Sequence, residues 1–321
     1  MLILRPLVLA VVGIGLFSGV VFAHHPTGGA GLGQAGPIRT VSATTLQQGK
    51  VSFAAQAEFI DLDGFSDSQL LRFAMQGKDA HTAESVFHSI MSMGYGITND
   101  LSVSMKLSYE HIENIREAHS DEPGEVHLHG DAKGIGDLTI MGQYRFLKTD
   151  NNFESALFFG LKVPTGKTND RDIQDETFEA EFLPGTGAWN PIIGIAATKR
   201  YGKVSLDGNL QYTFGTRGTQ FTNLGDIFNY NAAASYRAVS GTIAWDLILE
   251  ANGEWKEKQR IRGEKDPNSG GNALFLAPGA RVVFAKKVST FFSVGIPLVQ
   301  DMNGIQDDTK YKALFGISFS L

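Results

Sequence analysis

The residues best equipped for chemistry lie early in the chain. All 8 histidines precede residue 130, and His111, His119, His127 and His129 share one stretch with Glu110, Glu113, Glu117, Asp121, Glu122, Glu125 and Asp131. Imidazole and carboxylate together bind Zn²⁺ or Cu²⁺, and His127-Leu128-His129 puts two imidazoles on one side of an extended segment. A metal-binding loop over residues 111–131 is therefore one reading, and a hydrated, charged surface loop is the plainer and preferred one. His24-His25 at a new N-terminus would offer a weaker copper chelate through amine and imidazole.

Two other stretches imitate phosphate sites. Gly31-Leu32-Gly33-Gln34-Ala35-Gly36 spells GxGxxG, but a dinucleotide site needs a strand before it and a helix after it, and neither pattern flanks it. Residues 160–168, GLKVPTGKT, imitate a P-loop but place five residues rather than four between the glycines. Pro164-Thr165-Gly166 reads more simply as the turn that ends a strand. Hydrolysis would need a Ser and a His in reach with an orienting partner. No His lies beyond 129 and no stretch matches the Ser-His neighbourhood of a barrel-embedded phospholipase, so neither an enzyme nor a cofactor is expected. The absence of cysteine removes disulfides and thiolate chemistry. A formal charge of −6 gives no case for nucleic acid as a partner.

The elements that must carry these residues are strands. In residues 134–166, Leu138, Ile140, Gly142, Tyr144 and Phe146 alternate with Thr139, Gln143 and Arg145; after Lys148-Thr149-Asp150-Asn151-Asn152 the alternation resumes through Phe153, Leu157, Phe159, Leu161 and Val163. Period two means extended chain, and a hairpin with Phe146 opposite Phe153 also sets Arg145 against Glu154 and Asp137 against Lys162. The same pattern predicts strands near 50–60, 85–95, 101–112, 136–147, 153–163, 188–198, 203–215, 227–238, 242–255, 273–284, 290–299 and 310–321. The gaps alternate between long (61–84, 113–135, 164–187, 216–226, 256–272, 300–309) and short.

Residues 1–23 have a basic start at Arg5, an apolar run from Leu7 to Phe22 and a small-residue end at Ala23, the make-up of a cleaved secretory signal. An exported chain without a later apolar run, with dispersed alternation and a long/short loop rhythm, is expected to be a transmembrane antiparallel outer-membrane β-barrel of about 12 strands. Residues 50–321 would form it, and 24–49, Gly-rich and without period, would enter the lumen as a plug. Tyr95, Tyr109, Trp189, Tyr201, Tyr212, Trp245, Trp255 and Tyr311 would mark the interfacial girdle. Lys106, Glu110, Asp137, Arg145, Glu154, Lys162, Asp207, Asp246 and Glu250, with Lys310 and Lys312, fall on the inward face. Their mixed signs either fill a narrow barrel or line a conducting lumen. Leu70, Leu71, Phe73 and Met75, at helical spacing, would form an apolar vestibule or pack on the rim.

Gly136-Asp137-Leu138, Val163-Pro164-Thr165-Gly166 and Pro184-Gly185-Thr186-Gly187, with residues 36–53 and the run Leu276-Ala277-Pro278-Gly279-Ala280-Arg281, resemble the outer-membrane transporter family of the MetA-pathway of phenol degradation, within the FadL-like hydrocarbon channel group. The resemblance implies a barrel in the outer membrane of a Gram-negative bacterium and passive uptake or efflux of a small, often aromatic or hydrophobic, solute. The expected partners are outer-membrane lipids, that solute and the barrel-assembly machinery.

Overall fold

The computed structural model describes residues 36–321. The signal-like 1–23, His24-His25 and the glycine motif up to Ala35 lie outside the described residues. Twelve strands form the wall: β1 (Val51–Asp63), β2 (Ser85–Gly96), β3 (Leu101–Ala118), β4 (Leu138–Lys148), β5 (Phe153–Val163), β6 (Asn190–Tyr201), β7 (Val204–Thr213), β8 (Ile227–Val239), β9 (Ile243–Lys256), β10 (Gly271–Phe284), β11 (Val288–Met302) and β12 (Asp308–Ser320). Each pairs antiparallel with its sequence neighbours, and β1 pairs with β12 from Ser52↔Ser320 to Asp63↔Asp308, closing the cylinder. Closure removes every free edge, the condition for strands to cross a bilayer.

Alternation decides which side chain meets which medium. In β1, Ser52, Ala54, Gln56, Glu58 and Ile60 are buried inside while Phe53 is exposed outside. Around the wall the exposed set is apolar: Met105 and Leu107, Ile140, Leu157 and Phe159, Ile193 and Ile195, Leu206, Leu247 and Leu249, Phe315. A belt of this extent is costly in water and at home in hydrocarbon. Tyr95, Trp189, Tyr201, Trp245, Trp255 and Tyr311 are exposed near strand ends and Tyr109 is exposed midway along β3, whereas Tyr212 is half-buried and its hydroxyl donates to Asp226 at 2.5 Å.

The β4–β5 hairpin keeps its expected faces but not its register. Thr139 lies opposite Lys162 and Arg145 opposite Ala156, and a bulge follows before Leu147↔Ser155. This is a two-residue offset from the Phe146–Phe153 pairing, and an even offset leaves each side chain on its own face. A turn with Asn152 at φ 61° sets it. Both charge pairs survive diagonally, Arg145–Glu154 at 3.2 Å and Lys162–Asp137 at 3.9 Å.

Two long connections hold more structure than alternation foretold. Strand β3 runs to Ala118, and the return strand His127–Ile135 pairs along its upper half before a break at Gly136-Asp137. The outward face of β3 turns from Leu107 and Tyr109 to His111 and Glu113, so this part projects beyond the apolar belt. Backbone pairing continued where the apolar signal stopped. The first long connection forms α1 (Asp67–Met75), whose first turn is closed by the Ser66 amide donating to Gln69 Oε1 at 2.9 Å. A short strand, Ala80–Thr82, then pairs with the top of β3.

Candidate functional site

The lumen is where the fold puts its polar side chains, and residues 37–46 run through it. The Arg39 amide donates to both oxygens of Glu250 (2.9 and 3.0 Å) and the Thr40 amide to Oε1 at 2.8 Å. The Arg39 guanidinium pairs with Glu58 and Arg281 donates to the Pro37 carbonyl. Asn209 Oδ1 accepts from the Val41 amide, Thr198 Oγ1 from the Ala43 amide and Ser102 Oγ from the Leu46 amide, at 2.9, 2.9 and 2.8 Å. Five amides of the segment, those of Arg39, Thr40, Val41, Ala43 and Leu46, thus meet wall acceptors, which offsets the loss of water in a confined lumen. Its apolar residues complete the interior: Ile38 packs with Ile248, Phe291 and Leu314, and Val41 and Ala43 pack with Met141, Ala156, Phe158 and Ile192.

Several of the inward charges are engaged in this arrangement. Glu250 holds the segment, Asp207 accepts from Thr198 at 2.6 Å, and Glu154 takes Arg145 (3.2 Å) and Arg200 (3.3 Å). Asp246 is fully buried against Arg237, and Lys312 lies 4.1 Å above the Phe275 ring. Lys310 departs from the sequence expectation: it is exposed at the outer rim, 3.7 Å from Asp63, because the β1–β12 ladder slips between Asp61 and Leu62.

On the loop side of the segment lies a cavity of about 100 Å³, lined by Lys106, Glu110, Asp137 and Lys162, by Lys256, and by Met141, Ile192, Leu224 and Ile227. Strand β9 extends one residue past its expected end, and that residue is Lys256. Asp137 does more than line this space. Its carboxylate accepts from the Gly166 amide (2.9 Å), the Thr186 amide (2.9 Å) and the Thr186 hydroxyl (2.6 Å). A Cβ on Gly185 would stand 2.4 Å from the Gly166 carbonyl carbon, so the two glycines allow the approach that the carboxylate fastens. The three short phrases around 137, 166 and 186 are thus one knot joining β4, the end of β5 and the loop before β6. The Gly166 amide of the apparent P-loop is taken by Asp137, not presented to a phosphate.

The other sequence candidates lie outside the lumen. Helix α1 buries Leu70 and Ala74 against Ala80 and Ala118, with Phe65, Phe73, Val126 and Ile305 around them, while Met75 is 69 % exposed. It therefore packs on the rim. His119, His127 and His129 come together above β3, but His111 stays on the outward face with Asp131, 3.1 Å away. The hub is Glu117, which sequence spacing alone did not single out. Its Oε1 lies 2.5 Å from His81 Nε2 and 3.1 Å from His119 Nδ1, and its Oε2 lies 3.2 Å from His129 Nε2. His129 Nδ1 meets Asp172 at 2.8 Å. Burial opposes charge on His81, yet Glu117 and Glu179 outweigh it and lift the imidazole to about 10. Burial likewise disfavours the Glu117 carboxylate, and the surrounding imidazoles, His81 foremost, override it and hold the group down to about 2. Glu179, where burial prevails, is pushed up to about 7. His81 lies 30 residues before His111, and only the pairing of Ala80–Thr82 with β3 reveals the connection.

A closed cylinder with an apolar exterior, a polar interior and long loops at one end defines the class: an outer-membrane channel-type β-barrel. Within it, the chain belongs to the family described as "Putative MetA-pathway of phenol degradation", whose model matches residues 106–299. Among solved structures it is similar to the COG4313 outer membrane channel from Pseudomonas putida F1, with 14 % identity, a TM-score of 0.63, and 86 % of this chain and 97 % of that one covered. The KdgM porin aligns with 9 % identity and a TM-score of 0.44 over 84 % of this chain and 99 % of its own. No curated protein matches the chain in sequence.

Proposed function

We propose that the chain is a passive channel in the outer membrane of a Gram-negative bacterium, exported by a cleaved signal, that passes a small solute with an apolar, aromatic-sized body. The observation that carries this reading is the lumen cavity, where Met141, Ile192, Leu224 and Ile227 face Lys106 and Lys162 across about 100 Å³. A cavity of roughly 150 Å³ holds benzene; at about 100 Å³ this one is a single-ring constriction whose lining must yield slightly as the solute passes, with a lysine for an acidic or hydroxyl end. Residues 37–46 then act as the gate on the far side, since passage requires their displacement. The family's description and the channel-type fold support transport over catalysis, and the exposed belt calls for lipid and for assembly machinery as partners.

Uptake into proteoliposomes tests this, using benzenesulfonate, a permanently ionised aromatic anion that does not cross bare lipid as a neutral acid, against gluconate and glucose. Benzenesulfonate entering several-fold faster than either is the expected result. Equal rates for all three, or no rate above empty liposomes, would overturn the reading.

A further inference from the structure

Above the apolar belt, β3, the return strand His127–Ile135 and the loop 164–187 enclose a second cavity, of about 660 Å³. Its lining carries seven carboxylates, four imidazoles and no lysine or arginine. Even with every imidazole protonated, such a space is net negative, so it draws cations. The imidazoles arrive from separate segments: His81 beside the top of β3, His119 just past its end, and His127 and His129 on the return strand. His119 and His127 have ring centroids 5.4 Å apart. His81, Glu179 and Glu181 each present a ligand atom, and those atoms lie within 4.8 Å of one another. Two ligands held at about 2.0–2.1 Å in a tetrahedral shell stand about 3.4 Å apart; His81 Nε2 and Glu179 Oε2 are 3.9 Å apart. A sub-ångström adjustment therefore brings them into one coordination sphere.

We infer that the edge of this external cavity, where His81 and Glu179 line it and Glu179 is shared with an adjoining cavity that Glu181 lines, binds a divalent transition-metal ion of the imidazole-seeking kind, Zn²⁺ foremost. His81, Glu179 and Glu181 are its ligands: the ion displaces the proton that His81 Nε2 shares with Glu117 Oε1, while Glu117 keeps His119 and His129 in place. Nitrogen in the donor set selects Zn²⁺ over Ca²⁺ or Mg²⁺, which prefer all-oxygen shells. Such an ion would tie the loops 61–84 and 164–187 together over the channel mouth. The inference stands apart from what the lumen transports.

The test is calorimetric titration of Zn²⁺ alone into the full chain in detergent. One Zn²⁺ per chain is expected, with affinity weakened about tenfold or more by Glu179→Gln and unchanged by His111→Ala, which lies on the outward face. As His81 is buried and its replacement risks the loop fold, Co²⁺ loaded into the unaltered protein supplies a second reading: visible absorption of a tetrahedral site, displaced by Zn²⁺. Absence of Zn²⁺ binding, equal affinity for Ca²⁺, or a Glu179→Gln protein that binds as the parent does would each overturn the inference.

Discussion

Glu250 is the residue on which the occupied lumen can be tested. It is fully buried and receives two backbone amides of the segment, Arg39 at 2.9 and 3.0 Å and Thr40 at 2.8 Å. Hydrogen bonds to a charged acceptor contribute about 1.5–3 kcal/mol each. The lower figure applies because the amides are hydrated once the segment leaves. Glu250→Ala should therefore favour the displaced segment by about 3 kcal/mol, a shift of roughly a hundredfold. Thr198, Asn209 and Ser102 keep their bonds to Ala43, Val41 and Leu46, so the segment is loosened, not lost. Glu250→Gln retains an acceptor without the charge and should shift the balance by about 1–2 kcal/mol. Single-channel recording in planar bilayers then gives an order of open fraction: parent, Glu250→Gln, Glu250→Ala. Heat-modifiable migration on gels would establish that each barrel is folded. An Ala variant whose open fraction stays within about twofold of the parent would refute the idea that these bonds hold the gate. So would a Gln variant that opens more than Ala.

Asp137→Ala removes the acceptor of three hydrogen bonds from Gly166 and Thr186 and should cost about 3 kcal/mol locally, read as faster tryptic cleavage after Lys167 and Arg171. Leu247, exposed in the apolar belt, should tolerate Phe but not Arg, whose midplane penalty of about 2–4 kcal/mol would appear as a lower urea midpoint in lipid. Asp307 accepts from Thr82 Oγ1 (3.0 Å) and the Ala83 amide (2.9 Å) in the external loops. Its burial pushes the carboxyl up to about 8, against those bonds and the nearby Arg116. A folded value above the unfolded one means that this group's stabilisation is full below about 4 and is lost as pH rises through 8. Amide exchange at Ala83 should accelerate between pH 6 and 9 beyond the intrinsic rate, and Asp307→Asn should flatten that trend.

How far the molecule could be read from its residues follows the range of the signal. The wall was legible because each strand reports its own faces locally: β5 falls at residues 153–163 as alternation placed it, and Arg145 and Glu154 meet in spite of the shifted register. Helix α1 could be sensed from Leu70, Leu71 and Phe73, but its resting place on the rim needed Ala80, Ala118 and Ile305, which no local period connects. Segment 37–46 has no period at all, since it is neither strand nor helix. Its partners Glu250, Asn209 and Thr198 lie about 155–211 positions along the chain. Spacing grouped His119 with His127 and His129, yet it also admitted His111. Positions 111 and 117 share parity, and only the irregularity at Asn114, where φ is 55° and the ladder shifts register between Ile112 and Ile115, sets His111 and Glu117 on different faces; His81 arrives across the ladder as the neighbour of Glu117. The knot at Asp137 combines both cases. Its three phrases stand out in the sequence, but why they hold glycines is visible only where Gly166 and Gly185 touch.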